Sequence, residues 1–239
     1  MFSWLNPTGG ALYHLRAWRY RETLWREFRE TLAACLTQWH PPASRLLLIG
    51  PSAGYCLDEN LLRRFEQIDA IEPDPLAGWF LRRRFARVRP IRIHRTSFFE
   101  GPAHAYRTRL ADFPEHAVLF CNVLGQLKFS PEFWENDAAF AGFRKALARD
   151  LSARHWASFH DLLSGPSPKR VPPPWELERA QSNPEIARRL YTNLEPAPRT
   201  PSVELVDHFM EGFFPDRPRT ILHWPLKPGT SHWIEFIQS

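Results

Sequence analysis

The segment from Arg45 to Gly50 constrains the fold most, because it is a continuous apolar run closed by glycine. Such a run suits a strand buried on both faces of a parallel sheet. Four more short apolar runs follow, over residues 68–72, 91–94, 117–121 and 155–159, and the spacing predicts helices over 55–65, 76–88 and 131–151. Strand alternating with helix in this way predicts an α/β fold of the Rossmann-like, doubly wound kind.

The two ends of the chain complete this expectation. Apolar spacing over residues 10–39 predicts one or two amphipathic helices, so residues 1–42 are expected to form an N-terminal helical cap. Residues 220–226 and 231–237 read as strands, and the short loop between them requires an antiparallel hairpin. The prediction is thus a mostly parallel seven-stranded sheet within residues 43–239.

A proline-rich stretch interrupts that domain at about residues 164–202, around one helix expected at 183–194. It carries too little apolar pattern for a core of its own, so we interpret it as a surface insertion.

Composition narrows the function classes. No apolar run is long enough to cross a bilayer, and the N-terminus lacks the pattern of a signal peptide, so a cytoplasmic protein without a membrane partner is expected. The three cysteines are too scattered for a disulfide framework or a metal site. The net charge of +5 centres on an arginine-rich stretch at residues 82–95, where apolar residues interleave at helical spacing. We read it as the solvated face of a helix, and nucleic acid is not the favoured partner.

The first candidate ligand-binding motif is the turn after residues 46–49, which contains Gly50, Ser52 and Gly54. Glycines there let the backbone approach a ligand, although many α/β proteins need them only for close packing. Glu72 ends the next apolar run, about 20 residues after the first glycine, where an acid can accept hydrogen bonds from both hydroxyls of a ribose. The alternative for Glu72 is a solvated acid at a strand end.

Together, Gly50 to Gly54, Glu72, the five βα-type strands and the closing hairpin resemble the class I S-adenosylmethionine (SAM) dependent methyltransferases. The resemblance implies that the cofactor is SAM, that Gly50 and Gly54 border its methionine part and that Glu72 holds its ribose. In the same family pattern, Ser97 falls where an acid often meets the adenine amine, and Phe98 would stack on the ring. Leu48 departs from the acid that many members carry, and Ser52 departs from their middle glycine.

Residues expected near the methyl acceptor follow the later strands. Asn122 and Gln126 come after the fourth strand, where the ligand crevice of an open α/β sheet lies, so both could face a substrate. In the alternative interpretation, Asn122 caps the turn and Gln126 faces solvent. His160 and Asp161 are placed at the end of the fifth strand, with His160 as a general base and Asp161 near the substrate. Asp207 and Glu211 form a weaker case, sharing a face at helical spacing. Trp4, Tyr13, His14, Trp18 and Arg19 are expected to close the pocket.

These observations predict a SAM-dependent methyltransferase acting on a small-molecule or peptide-like acceptor, with Asn122 and His160 as catalytic residues. Two alternatives remain open at this point. One is a non-catalytic binding or scaffold protein of the same fold, favoured by Leu48 and Ser52. The other is an RNA-modifying methyltransferase that uses the arginine-rich stretch for docking.

Overall fold

The computed structural model describes residues 10–101, 104–177, 182–192, 205–214 and 217–239. Within them the helices are α1 (Gly10–Tyr20), α2 (Arg26–Gln38), α3 (Glu59–Arg63), α4 (Pro75–Phe85), α5 (Ala105–Ala111), α6 (Asp137–Leu151) and α7 (Asn183–Thr192), with one 3-10 helix at Leu124–Phe129. The strands are β1 (Arg45–Ile49), β2 (Gln67–Ile71), β3 (Ile91–His94), β4 (His116–Cys121), β5 (Trp156–Pro166), β6 (Trp175–Leu177), β7 (Val206–Asp207), β8 (Arg219–Lys227) and β9 (Thr230–Gln238). Trp4 lies outside the described residues. No described helix combines the length and apolarity needed to cross a membrane.

The strands form one mixed sheet in the order β3-β2-β1-β4-β5-β9-β8-β6, and β7 pairs with β5. The first five strands are parallel, while β9 lies antiparallel between β5 and β8. This confirms the predicted Rossmann-like α/β fold and its closing antiparallel hairpin, which is formed by β8 and β9. The predicted count of seven strands is exceeded, because the described residues form nine.

Helices cover both faces of the sheet, which is why its strands are apolar at consecutive positions. In β1, Leu46 and Leu48 belong to the core shared with α2, α3 and α4, whereas Leu47 and Ile49 face the core shared with α5, α6 and α7. All four side chains are buried. Because β1 to β5 are parallel, their carboxyl ends meet at one edge of the sheet.

Local sequence sets where the helices on this edge begin. Asp74 accepts hydrogen bonds from the backbone N–H groups of Leu76 and Ala77 at 2.8 and 3.4 Å, and Pro75 occupies the first turn of α4. Both are favoured at a helix start. Asn136 caps α6 in the same way, and this helix starts six residues later than position 131, where the sequence predicts it. The helix predicted over 55–65 is limited to α3, and α5 lies in a segment for which no helix is predicted.

The described part of the proline-rich stretch contributes strands and a helix to the sheet and its core. Strand β5 extends to Pro166, β6 pairs with β8, and α7 buries Ile186 and Leu190 against the sheet. The apolar side chains that achieve this are few and widely spaced, so their pattern in the sequence is weak. Asp207 ends a short strand instead of lying on a helix, so the shared helical face predicted for Asp207 and Glu211 is wrong.

Candidate active site

A cavity of about 1140 Å³ opens along the carboxyl edge of the parallel strands. It spans the point where the strand order reverses, between β1 and β4, which is where open α/β sheets bind ligands. The predicted site residues that line it are Tyr13, Gly50, Ser52, Glu72, Ser97, Phe98, Asn122, Gln126 and Asp161. His14, Gly54 and His160 are not among its lining residues.

The turn after β1 is built around Glu72. Gly50 (φ +63°) donates its N–H to the carbonyl of Ile71, which fixes the turn beside the end of β2. The Glu72 carboxylate then accepts the N–H of Ser52 at 2.8 Å and the N–H of Asp74 at 3.0 Å. Glu72, to which the family pattern assigns ribose recognition, thus also stabilises the turn through these hydrogen bonds.

Glu72 is 6% exposed, and the balance of burial and hydrogen bonding sets its charge. Burial raises the pKa of its carboxyl group, the two backbone N–H donors partly offset this effect, and the resulting pKa is about 7. A carboxyl group with this pKa is partly protonated at neutral pH, and new hydrogen-bond donors would favour its charged form.

The neighbouring cavity wall is aromatic and polar. Phe98 is buried and packs edge-on against Phe99 at a ring-centroid distance of 4.8 Å, and Ser97 precedes it on the cavity wall. Tyr13 on α1 reaches the cavity from the N-terminal helices, and burial raises the pKa of its phenol. His14 turns to the side, where its Nδ1 lies 3.0 Å from the Tyr55 hydroxyl.

At the other end, Asp161 is the centre of a buried polar network. Its Oδ2 accepts hydrogen bonds from the side-chain amides of Asn122 at 3.1 Å and Gln126 at 2.5 Å, and its backbone N–H donates to Asn122 Oδ1 at 2.8 Å. Asn122 has a left-handed backbone conformation (φ +56°), which is uncommon outside glycine and is tolerated best by Asn and Asp. The Asn122 side chain is therefore engaged with Asp161 through both its amide nitrogen and its amide oxygen.

The same network contains His232, which sequence reasoning missed. Nδ1 of His232 lies 2.7 Å from Asp161 Oδ1, and the imidazole lines the cavity. Burial raises the pKa of Asp161, but the charge and hydrogen bond of His232, with smaller effects of His208 and Asn122, lower it to about 2. An ionised Asp161 favours a proton on Nδ1 of His232.

The sequence offers only a weak signal for His232, because it stands among alternating residues of an ordinary hairpin strand. Its partner Asp161 was placed at the end of β5, but β5 continues to Pro166. Pairing with β4 nevertheless stops at Cys121 and Phe159, so Asp161 lies just beyond the parallel part of the sheet. Asp161 pairs with Ile234 of β9, and the register between the two strands shifts just after it, between Asp161 and Leu163.

Two predicted site residues, His160 and Gly54, take part in packing instead of lining the cavity, and so does Leu48. His160 is fully buried, its Nδ1 lies 2.8 Å from the Ser158 hydroxyl, and its Nε2 lies 3.6 Å from Glu235. A Cβ atom at Gly54 would lie 2.6 Å from the Phe85 ring, so this glycine permits close packing of α4. Leu48, which stands where many class I methyltransferases have an acid, is fully buried in the core.

Asp161, His208 and His232 have the donor types of a metal site, with their ligand atoms within 4.8 Å of one another. Hydrogen bonds already engage these groups, however. His208 uses both ring nitrogens, on the Gly125 carbonyl at 2.8 Å and the Ser164 hydroxyl at 3.0 Å. The cluster is therefore explained as a hydrogen-bonded network around a His–Asp pair.

A second cavity of about 390 Å³ adjoins the first. The two share Gln126, Leu226 and His232 as lining residues, so His232 stands at their boundary. Arg16 and Lys227 also line the smaller cavity.

No family model and no curated protein sequence matches this chain. Similar solved structures include the DhpI-SAM-HEP complex, which is 13% identical over 95% of this chain and 94% of that one, with a TM-score of 0.45. Magnesium protoporphyrin IX methyltransferase (ChlM) from Synechocystis PCC 6803 with bound SAM is 10% identical over 99% and 94%, with a TM-score of 0.44. N-methyltransferase NodS from Bradyrhizobium japonicum WM9 in complex with S-adenosyl-L-homocysteine (SAH) is 13% identical over 95% and 98%, with a TM-score of 0.42.

Proposed function

We propose that this chain is a SAM-dependent methyltransferase acting on a small-molecule or peptide-like acceptor. One observation carries the proposal: a single cavity holds Glu72 at the end of β2 and the Asp161–His232 pair beside β5 and β9. Three strand spacings separate β2 from β5, which is about 14 Å. That distance leaves room for a nucleoside at one end and for a reacting group at the other.

The end of the cavity that contains Glu72 carries side chains that could bind a nucleoside by hydrogen bonds and ring contact. Glu72 would accept hydrogen bonds from the ribose hydroxyls, Ser97 would bond the adenine and Phe98 would contact its ring. Because Leu48 is buried and apolar, the amino-acid part of SAM would depend on the backbone around Gly50 and Ser52. Bound SAM supplies an electrophilic methyl group, and the protein's own task is to hold the acceptor in line with it and to exclude water.

The experiment that tests the proposal is direct titration of the purified protein with SAH and, separately, with NAD⁺, by isothermal calorimetry. We expect SAH to bind with a dissociation constant in the micromolar range and NAD⁺ to bind far more weakly. NAD⁺ is the informative control, because Rossmann-like crevices commonly hold dinucleotides. Failure of SAH to bind at millimolar concentration, or tighter binding of NAD⁺, would refute the proposal.

Catalysis is tested separately from binding. The protein would be incubated with SAM carrying a deuterated methyl group and a mixture of small-molecule extracts, and labelled products would be detected by mass spectrometry. SAH binding without transfer to any acceptor would favour the non-catalytic binding protein instead. Transfer to RNA, weakened by Arg83→Glu with Arg87→Glu, would favour the RNA-modifying alternative.

A further inference from the structure

Two hydrogen-bond acceptors stand side by side in the wall of the larger cavity, Oε1 of Gln126 and Nε2 of His232. The two oxygens of Asp161 hold both side chains: Oδ2 accepts the Gln126 amide at 2.5 Å, and Oδ1 lies 2.7 Å from Nδ1 of His232. An ionised carboxylate repels an amide oxygen, so Oε1 of Gln126 points away from Asp161. A proton on Nδ1 of His232 likewise leaves Nε2 as an acceptor.

Both acceptor atoms are open to a ligand. Neither Oε1 of Gln126 nor Nε2 of His232 bonds to a described residue, and neither is shut off from solvent, although His232 as a whole is only 8% exposed. The carboxylate behind them is engaged by its own partners. A ligand at this end of the cavity therefore meets acceptors and has to bring hydrogen-bond donors.

The charge of the cavity wall points the same way. Among its described lining residues there is neither lysine nor arginine, whereas five are acidic: Glu72, Asp74, Glu100, Glu132 and Asp161. Lys128, on the same 3-10 helix as Gln126, does not line the cavity, and its Nζ pairs with Asp137 at 2.7 Å. In the adjoining smaller cavity, Arg16 is already engaged in another interaction and Lys227 is exposed. The larger cavity thus favours a cation over an anion.

The number of donors distinguishes the classes of nucleophile. A carboxylate has no hydrogen to donate and a hydroxyl group has one, whereas a primary amino group has two and its protonated form has three. Only the amino group can bond to both open acceptors at once, and only its protonated form also carries the charge that this wall favours. Trp224 lines the same space, with its ring centroid 6.0 Å from that of His232, and would contact the apolar part of such a ligand.

Resting on the proposed function, we infer that the methyl acceptor is a primary amine bound in the larger cavity, and that His232 is its general base. The amine enters as an ammonium ion and donates to Oε1 of Gln126 and Nε2 of His232. Nε2 takes one proton, and the freed lone pair of the nitrogen bonds to the methyl carbon. The bond from that carbon to sulfur breaks and its electron pair stays on sulfur. Asp161 stabilises the imidazolium, which later releases its proton to water.

The binding test uses the SAH-saturated protein and three probes of similar shape: benzylamine, benzyl alcohol and benzoate. We expect benzylamine to bind at least about tenfold more tightly than benzyl alcohol, because it adds a charge-assisted hydrogen bond, and benzoate to bind most weakly. Gln126→Met removes Oε1 and should abolish most of the preference for the amine. Gln67→Met is the matched control, because Gln67 also donates its amide to a buried carboxylate, that of Asp69 at 2.7 Å, but does not line the cavity. This control should keep the preference.

Nitrogen NMR of ¹⁵N-labelled histidine gives a readout independent of turnover, with the His232 signals identified by their loss in His232→Gln. We expect benzylamine to shift the Nε2 signal of His232 and benzoate to leave it unchanged. Equal affinity for the amine and the alcohol, tighter binding of benzoate, no benzylamine binding at millimolar concentration, an equal loss in Gln67→Met, or an unmoved Nε2 signal would overturn the inference. SAH affinity is measured first in each protein, so failure of the amine site is distinguished from failure of cofactor binding.

Discussion

The charge state of Glu72 yields the sharpest quantitative prediction. If its carboxylate binds the ribose, then affinity for SAH depends on the fraction of protein in which Glu72 is ionised. With a pKa of about 7 in the free protein, that fraction is about one-tenth at pH 6 and about nine-tenths at pH 8. SAH should therefore bind about tenfold more tightly at pH 8 than at pH 6.

Glu72→Gln removes both the charge and the pH dependence. Loss of charge-assisted hydrogen bonds to two hydroxyls should weaken SAH binding at pH 8 by about 1.5 to 3 kcal/mol, or about tenfold to more than a hundredfold. At pH 6 the ratio of the mutant to the wild-type dissociation constant should be about tenfold smaller than at pH 8, because most of the wild-type carboxyl is already neutral. Calorimetric titration at four pH values between 6 and 8 measures both effects.

Asp74→Asn is the matched control. Asp74 also lines the cavity, but its side chain caps α4, a role that asparagine fills equally well. This variant loses the same charge and should change SAH affinity by less than about twofold. Equal losses of SAH affinity in the two variants would show that the net negative charge of the cavity is responsible and not a hydrogen bond from Glu72 to the ribose. Affinity independent of pH in the wild type would refute the assignment of Glu72.

Three further predictions concern stability. The folded-state pKa of Glu72 is raised from 4.5 to about 7, so the free energy of unfolding should fall by about 3 kcal/mol as pH rises from 4.5 through 7. Urea denaturation should show this loss in the wild type but not in Glu72→Gln. His160→Ala should lower the free energy of unfolding by about 2 to 4 kcal/mol and leave SAH affinity unchanged; weaker SAH binding in a folded variant would restore His160 to the site. Gly125→Ala should lower the free energy of unfolding by about 1 to 3 kcal/mol, because its Cβ would overlap the Asp161 backbone carbonyl. Gly142→Ala, whose Cβ would have no atom within 4 Å, should raise that free energy slightly in the same denaturation assay.

The sequence could predict that the residues proposed for the cofactor lie together, because this end of the cavity is built locally. Gly50, Ser52, Glu72 and Ser97 follow consecutive strands, and parallel βα units place the ends of such strands side by side. The other end of the cavity is assembled differently. Asn122 and Asp161 meet because β4 and β5 pair, whereas His232 reaches Asp161 only because β9 pairs antiparallel with β5.

Neighbouring residues on a strand explain the error at His160. Side chains at adjacent positions point to opposite faces, so His160 and Asp161 were never equivalent candidates for one pocket. The sequence places both at the end of β5 without saying which face is open. The structure decides it: His160 pairs opposite Glu235 in the core, and Asp161 faces the cavity.

The two buried carboxylates of the cavity have opposite charge behaviour, and the difference leads to a final prediction. Burial alone would raise both pKa values, but Asp161 has His232 and two side-chain amides as partners and keeps a pKa of about 2, whereas Glu72 has two backbone N–H donors and reaches about 7. Asp161 is therefore ionised at every physiological pH, as orienting a base requires, while Glu72 ionises fully only when a ligand adds donors. Binding of SAH should then release about 0.9 proton at pH 6 and about 0.1 proton at pH 8. Calorimetry in buffers of different ionisation enthalpy measures this number directly. Release that does not change between these pH values, or that persists in Glu72→Gln, would mean that another group titrates on binding and that Glu72 does not face the ribose.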